Sequence, residues 1–283
     1  MNQVPEITLG ELIERYSVIL FDAYGVLANS DLVAPGASEA IRHLNETGKP
    51  YFVLTNDASV LPESRSERYG RLGLPIDAWR IITSGGLLPA YFREHGLEGM
   101  RCVTLGTADS ARYVESAGGI VVSSEGDFDV LVIGDQSGFT FLETTRAALS
   151  GLFRLIDAGR PPTLVLPNPD LIYPSGDGFA FASGTVGRMF EGALALRYPN
   201  RPDLRFARLG KPHPAIYEEA YRRSGTMDMV MIGDTPDTDI RGANNFGIAS
   251  ALTGTGVSTQ DVSRLPASDV PTYLIQSLAL GVQ

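Results

Sequence analysis

The sequence predicts an α/β protein: a Rossmann-like three-layer α/β/α core around a parallel sheet, with a smaller α/β domain inserted into it. Short β-branched apolar runs alternate with amphipathic stretches along the whole chain, which is typical of a parallel sheet covered by helices on both faces. The middle of the chain, roughly 120 residues, has an α/β alternation of its own and is long enough to form a separate domain. Polar residues follow several of the apolar runs, where the carboxyl edge of such a sheet binds ligands.

The predicted core is formed by the two ends of the chain. Its strands are expected where strand-length apolar runs occur, at residues 17–21, 51–54, 80–83 and 229–232. Helical patterns lie between or beside them, at residues 37–45, 63–72 and 215–223. We therefore assign residues 1–86 and 206–283 to the core.

The inserted domain is predicted to span residues 87–205. Its strands are expected at residues 102–105, 120–123, 130–133 and 163–166. Its helices are expected at residues 110–116, 144–158 and 185–196. The order of these elements again predicts an α/β domain rather than an extended linker.

The composition excludes several classes of partner and site. With 283 residues, 43% apolar content and a net charge of −10, the chain can bury a large core but repels nucleic-acid phosphates and anionic lipid. The single cysteine, Cys102, allows neither an intrachain disulfide nor a cysteine-based zinc site. Residues 1–15 contain three acids and no long apolar run, and no run has the length of a membrane span. We expect a cytoplasmic protein without nucleic-acid or membrane partners.

Candidate site residues stand at the ends of the first two predicted strands. Asp22 directly follows an apolar run and precedes a glycine turn, and Thr55 and Asn56 follow the second run. A hydroxyl and an amide at a strand end can bind phosphoryl oxygens. Taken alone, each of these residues is better explained by a turn or a helix cap.

Two further candidates come late in the chain. Lys211 lies beside Pro212 just before a predicted helix, and Asp234, Asp237 and Asp239 follow the strand at 229–232. Three carboxylates within six residues repel one another unless a cation is present, and oxygen ligands of this kind suit Mg²⁺. A nucleophile, donors for phosphoryl oxygens, a lysine and a metal site are the components that phosphoryl transfer needs. The set as a whole therefore points to a phosphoryl-transfer enzyme.

The set resembles the four motifs of the haloacid dehalogenase (HAD) superfamily of hydrolases. The matching segments are Asp22-Ala-Tyr-Gly-Val-Leu27, Leu54-Thr-Asn56, Gly210-Lys-Pro212 and Gly233-Asp234 with Asp239. An insertion between the second and third motifs looks like the class II, subclass A (C2) cap of p-nitrophenyl phosphatase-like and sugar or nucleotide phosphatases. The cap segment Asn168-Pro-Asp170, followed by Tyr173-Pro174, also matches that branch.

The resemblance implies a role for each matched residue. Asp22 would attack phosphorus and form an aspartyl-phosphate, and Lys211 would neutralise the developing charge. Asp22, the main-chain carbonyl of Tyr24 and Asp234 would ligate Mg²⁺, with Asp239 in support. Thr55 and Asn56 would bind the phosphoryl oxygens, and Asn168 and Asp170 would help to select the leaving group. The substrate would be a small phosphorylated metabolite, and exposed cap sheets in this branch often form homodimers.

Tyr24 departs from the pattern of this superfamily. Its phosphatases normally carry a second aspartate two residues after the nucleophile, which protonates the leaving alkoxide and later activates water. Loss of a positioned acid/base costs about 10²–10⁴ in rate, and a phenol can donate a proton but is a poor base at neutral pH.

Three functions therefore remain open. The first is a phosphatase that is slow or suited to good leaving groups. The second is a phosphometabolite-binding protein that has lost turnover. The third is a 2-haloacid dehalogenase, which the intact acidic segment around Asp234 disfavours because that chemistry uses no metal.

Overall fold

The computed structural model of the protein describes residues 4–29, 32–176, 178–254 and 262–281. The chain divides into two compact units. The first comprises Met1–Thr55, Pro62–Ile82 and Lys211–Gln283, and the second comprises Asn56–Leu61 and Thr83–Gly210. The sequence placed the inserted domain at 87–205. The second unit takes in a few more residues on each side, together with the short segment that follows the second strand.

A six-stranded sheet forms the centre of the first unit. Its strands are β1 (Val18–Asp22), β2 (Tyr51–Thr55), β3 (Ile81–Thr83), β11 (Met229–Gly233), β12 (Ala249–Thr253) and β13 (Tyr273–Ile275). They lie in the order β13-β12-β11-β1-β2-β3. β1 pairs in parallel with β11 on one side and β2 on the other. The two strands that precede the candidate acids, β1 and β11, are therefore neighbours.

Helices cover this sheet. They are α1 (Leu9–Arg15), α2 (Ala37–Thr47), α3 (Pro62–Arg71), α8 (Ala215–Ser224) and α9 (Arg241–Phe246). Leu12 of α1 and Ile41 of α2 pack in one buried cluster with Ile19 and Phe21 of β1. Because alternate residues of a strand face the same side, this cluster covers one face of the sheet. Burial of the sheet on its faces explains why its strands read as continuous apolar runs.

The second unit contains a parallel sheet of its own. The strands are β4 (Arg101–Leu105), β5 (Ile120–Val121), β6 (Val130–Ile133), β7 (Thr163–Leu166) and β10 (Ala207–Arg208), in the order β10-β7-β6-β4-β5. All four pairings between them are parallel. The helices are α4 (Leu88–Glu94), α5 (Ala108–Ser116), α6 (Phe141–Asp157) and α7 (Ser183–Arg197). An antiparallel hairpin, β8 (Ile172–Ser175) with β9 (Gly178–Phe181), stands apart from this sheet.

The predicted fold class, a parallel α/β core with an inserted α/β domain, is confirmed. The strand predicted at 120–123 ends at Val121 instead and is exposed along its length. The segment after β11 forms a π-helical turn, Pro236–Ile240, which continues into α9. Within the described ranges, no helix combines the length and hydropathy that a membrane crossing requires.

Candidate active site

Asp22 and Asp234 lie at the same edge of the core sheet. β1 and β11 are paired in register from Val18 with Met229 to Phe21 with Ile232, so both strands end together. Asp22 is the last residue of β1, and Asp234 is the first residue after β11. This is the carboxyl edge, where open parallel sheets bind their ligands.

The turn after β1 must carry glycine at residue 25. Gly25 has a φ of 86°, which L side chains rarely adopt. A β-carbon at Gly25 would also collide with the Asp234 carboxylate. The glycine therefore allows the chain after Asp22 to approach Asp234 closely.

Asp239 is brought to the same place by the π-helical turn. The main-chain N–H of Thr235 donates to Asp239 Oδ2 at 3.1 Å, and the Thr235 hydroxyl donates to Asp234 Oδ1 at 3.0 Å. A β-carbon at Gly233 would strike the Asp239 side chain. Thr235 and Gly233 thus fix both acids relative to the end of β11.

Lys211 joins the nucleophile candidate to the acidic turn. Its ammonium group donates to Asp22 Oδ1 at 2.5 Å and to Asp239 Oδ1 at 2.7 Å. The lysine side chain is only 4% exposed, and those of Asp22 and Asp239 are 13% and 0% exposed. A buried lysine thus holds two carboxylates that come from opposite ends of the sequence.

The three carboxylates form a group that can hold a metal ion. One oxygen from each of Asp22, Asp234 and Asp239 lies within 4.8 Å of the others. Three hard, anionic oxygen ligands at a sheet edge suit Mg²⁺ better than a soft or nitrogen-preferring metal. The close approach allowed by Gly25 keeps this space free of side-chain carbon. The residues therefore fit a magnesium site.

Burial and the neighbouring charges shift the pKa values of these groups. Burial raises the pKa of Asp22 to about 6, an effect that Lys211 opposes and the Asp234 charge reinforces. Burial likewise raises the pKa of Asp239 to about 6, against the opposing effect of Lys211. Burial alone would lower the pKa of Lys211, but the Asp22 and Asp239 charges outweigh it and hold that pKa well above its ordinary value. Lys211 therefore stays charged, whereas both acids take up protons more readily than ordinary carboxylates.

The remaining predicted site residues divide between the two units. Thr55 is the buried last residue of β2 in the first unit, and Tyr24 lies in the turn after β1 with its side chain 39% exposed. In the second unit, the Asn56 amide donates to Asp170 Oδ1 at 2.8 Å, and the Asp170 N–H donates to Asn168 Oδ1 at 2.9 Å. The structure thus brings Asn56, Asn168 and Asp170 into one hydrogen-bonded group, although Asn56 lies 114 residues before Asp170 in sequence.

Sequence reasoning missed two residues that support the site, Ser84 and Tyr217. The Ser84 hydroxyl donates to the Asn56 main-chain oxygen, and a β-carbon at Gly210 would collide with the Asn56 side chain. In the first unit, the Tyr217 hydroxyl donates to the main-chain oxygen of Asp239 at 3.1 Å. Ser84 and Tyr217 sit in ordinary helical or turn patterns, so nothing in the sequence marks them. Gly210, in contrast, begins the segment Gly210-Lys-Pro212 that the sequence analysis had already matched.

The chain matches known proteins along nearly its whole length. Residues 19–119 match the family model described as haloacid dehalogenase-like hydrolase, and residues 208–280 match a second model described as HAD-hydrolase-like. A dihydroxyacetone phosphatase from Corynebacterium glutamicum is 28% identical over 263 residues, which cover 92% of this chain and 88% of that protein. A crystal structure of a possible sugar phosphatase of the HAD superfamily from Cytophaga hutchinsonii is 30% identical with a TM-score of 0.83, covering 99% and 100% of the two chains. A glycerol phosphate phosphatase from Mycobacterium tuberculosis, solved in complex with magnesium, shares the fold at 24% identity and a TM-score of 0.81, covering 95% and 78%.

Fold and site together define an α/β hydrolase whose acidic centre lies at the carboxyl edge of its core sheet. The chain belongs to the haloacid dehalogenase superfamily of hydrolases, in its phosphatase branch. The two family models span the candidate residues of the first unit, and the stretch between them contains Asn168 and Asp170.

Proposed function

We propose that the protein is a Mg²⁺-dependent phosphatase that hydrolyses a small phosphorylated metabolite through an aspartyl-phosphate on Asp22. The observation that carries this proposal is the bridge from Lys211 to both Asp22 and Asp239, beside Asp234. A nucleophile, a fixed cation and an anionic metal site are thereby gathered within a few ångströms. These are the groups that a displacement at phosphorus requires.

The first chemical step is attack by an oxygen of Asp22 on phosphorus. A P–O bond to Asp22 forms, the P–O bond to the leaving group breaks, and the leaving oxygen departs with the electron pair. With a pKa of about 6, Asp22 is mostly ionised at neutral pH and is therefore nucleophilic. In the second step water attacks the aspartyl-phosphate, so that inorganic phosphate leaves and Asp22 is regenerated.

Lys211, Thr55 and Asn56 bind the transferring group in this proposal. The Lys211 ammonium is held by two carboxylates and needs no reorganisation to face developing negative charge. Thr55 and Asn56 are adjacent at the end of β2 and offer a hydroxyl and an amide as donors. Asp170 accepts a hydrogen bond from the Asn56 amide, Asn168 accepts one from the Asp170 N–H, and both contribute to the choice of leaving group.

The bound metal would come from the solvent as Mg²⁺, held by Asp22 and Asp234 with the Tyr24 carbonyl, and supported by Asp239. Its chemistry is to neutralise charge on the phosphoryl oxygens and to bring that anion up to an anionic nucleophile. The fit of three buried carboxylate oxygens within 4.8 Å supports this assignment.

The substrate class follows from the named relatives and from the composition of the site. The similar proteins are named for dihydroxyacetone phosphate, sugar phosphates and glycerol phosphate. We extend this to the present chain as a preference for small phosphorylated trioses, polyols or sugars. A small, soluble monoester also suits a site whose binding groups are a lysine, a metal and short polar side chains.

The test is a panel of phosphate monoesters assayed with Mg²⁺ and with EDTA. It includes p-nitrophenyl phosphate, dihydroxyacetone phosphate, glycerol phosphate and sugar phosphates, with a 2-haloacid as a separate arm. We expect Mg²⁺-dependent phosphate release that Asp22→Asn abolishes, whereas Asp228→Asn, an acid outside the site that accepts hydrogen bonds from Ser17, retains it.

Two outcomes would contradict the proposal. Halide release without metal would indicate a dehalogenase. Tight Mg²⁺-dependent binding of phosphate esters without turnover would indicate a phosphometabolite-binding protein.

A further inference from the structure

Tyr217 is a buried tyrosine whose hydroxyl contacts the main chain of the acidic site. It lies on α8, is fully buried, and donates from its hydroxyl to the main-chain oxygen of Asp239 at 3.1 Å. Burial of a hydroxyl without a hydrogen-bond partner costs free energy. The bond to Asp239 therefore favours the observed position of the Tyr217 ring.

Residues packed on two sides of the Tyr217 ring restrict its position. Its ring stacks on Phe246 with the ring centroids 5.7 Å apart and the planes 25° from parallel. On another side Gly242 lies so close that a β-carbon there would meet the Tyr217 hydroxyl and ring. Phe246 and Gly242 both belong to α9, which continues directly from the turn that carries Asp239.

The same stretch of chain also holds the Asp239 side chain. Lys211 stands shortly before α8 and donates to Asp239 Oδ1 at 2.7 Å, while Tyr217 on α8 holds the Asp239 main-chain oxygen. Residues 211–217 therefore bind Asp239 through two hydrogen bonds, one to its carboxylate and one to its main-chain oxygen. Removal of the hydrogen bond from Tyr217 to the main chain would let the π-helical turn shift relative to Asp22 and Asp234.

We propose that Tyr217 is a positioning residue that sets the geometry of the carboxylate cluster by fixing the main chain at Asp239. It does not contact the substrate, and it acts through Asp239 alone. The inference rests on the proposed function where turnover is concerned, but its effect on cation binding can be measured without turnover.

The experiment compares Tyr217→Phe with the matched control Tyr51→Phe. Tyr51 is also fully buried in the first unit, and its hydroxyl donates to Asn45 Oδ1 at 3.0 Å, away from the acids. Mg²⁺ binding to each protein is measured by calorimetry in the absence of substrate, and thermal unfolding is measured in EDTA. Kinetics with p-nitrophenyl phosphate are then recorded across Mg²⁺ concentrations.

We expect Tyr217→Phe to weaken Mg²⁺ binding about tenfold, as is usual when a group that holds a metal ligand is removed. Its KM for p-nitrophenyl phosphate should stay at the wild-type value, and its kcat should recover at saturating Mg²⁺. Tyr51→Phe should lower thermal stability by a similar amount and leave Mg²⁺ binding unchanged. Gly242→Ala, which displaces the hydroxyl instead of removing it, should weaken Mg²⁺ binding in the same direction.

The inference is overturned if Tyr217→Phe binds Mg²⁺ as tightly as the wild type, or if Tyr51→Phe weakens binding equally. Should Tyr217→Phe fail to fold, unchanged Mg²⁺ binding in Gly242→Ala overturns it. Absence of turnover in the wild type would defeat the proposed function alone, because the calorimetric comparison still decides the role of Tyr217.

Discussion

Lys211 and Lys49 are the two lysines of the chain, and both stand in the tripeptide Gly-Lys-Pro. Lys211 is buried between two carboxylates, whereas Lys49 is half-buried just before β2 and lies outside the carboxylate cluster. The tripeptide alone therefore cannot identify the site lysine. What separates the two is context: residues 210–212 precede a helix that packs beside the acidic turn, and residues 48–50 precede a strand.

This pair offers a matched test of the buried lysine. Lys211→Met leaves Asp22 and Asp239 without their cation, and loss of one partner from a buried ion pair costs about 3–5 kcal/mol. We expect Lys211→Met to lower the free energy of unfolding in EDTA by this order and to abolish turnover. Lys49→Met should change neither by much. Urea unfolding measures the free energy of unfolding. The decrease caused by Lys211→Met should be larger at pH 8 than at pH 5, because both acids are charged at pH 8.

By its resemblance to HAD phosphatases, the chain carries Tyr24 at the position of the aspartate that would protonate the leaving group. Tyr24→Asp restores the carboxyl that related phosphatases carry at this position, so hydrolysis of alkyl phosphates, whose leaving groups need a proton, should rise by up to about 10²–10⁴. Hydrolysis of p-nitrophenyl phosphate should change much less, since nitrophenolate leaves without one. The ratio of kcat/KM for glycerol phosphate to that for p-nitrophenyl phosphate is the measurement. An equal rise in this ratio for Tyr24→Phe would mean that the new carboxyl is not the cause.

At the scale of elements, the turn after β1 controls the distance between two acids. Gly25→Ala places a β-carbon against the Asp234 carboxylate and also forces a φ of 86° on alanine. Gly48→Ala imposes a similar φ of 67° with no atom within 4 Å, so it isolates the backbone strain. We expect both variants to lose stability, and only Gly25→Ala to lose Mg²⁺ affinity, as followed by calorimetry. Equal Mg²⁺ affinity in the two variants would show that the Gly25 contact is unimportant.

Most buried strands were predictable from sequence, even the three-residue β3, whereas the buried β12 and the exposed β8 and β9 were not predicted. β1, β2, β6 and β7 were located to within about a residue or two because burial on both faces makes each one an unbroken apolar run. The β8–β9 hairpin was missed because Ile172 and Phe179 are apolar yet exposed, so no alternation marks a buried face. The turn at Pro236–Ile240 was not predicted, because its π-helical form depends on contacts that sequence periodicity does not record.

The candidate site was predictable in its members but not in its connections. Asp22 and the acids after β11 could be named because parallel topology brings strand ends together, and Lys211 because it stands beside Pro212 just before a predicted helix. The contact of Asn56 with Asp170 and that of Tyr217 with Asp239 could not be inferred, since each joins residues whose separation in sequence carries no pattern.

For the whole molecule, the carboxylate cluster links stability to pH and metal. In the metal-free protein Asp22 and Asp239 have pKa values of about 6, against an ordinary value of 3.8. The folded state therefore binds their protons more tightly than the unfolded chain does. These two groups contribute stability that is fully present below about pH 4 and is lost as the pH rises to about 6.

In the proposed function, Mg²⁺ binds at this cluster and displaces the same protons, so its stabilising effect is expected to have the opposite dependence on pH. We expect the difference in Tm between saturating Mg²⁺ and EDTA to grow from pH 5 to about pH 7 and then level off. Differential scanning fluorimetry across this range gives the measurement, and Asp22→Asn should flatten the curve. A difference that is constant from pH 5 to 8 would mean that these acids are not the ligands.

The position of β1 between β2 and β11 has a consequence for synthesis on the ribosome. One edge of β1 can be satisfied as soon as β2 emerges, but the other stays unpaired until β11 is made, roughly 200 residues later. At ordinary elongation rates that interval is about 10–40 s. During this time the second unit, whose residues lie in between, is complete enough to fold first. A nascent chain that stalls before β11 is synthesised exposes the unpaired edge of the apolar strand β1. Pairing with β11 then covers this edge and protects the chain from aggregation.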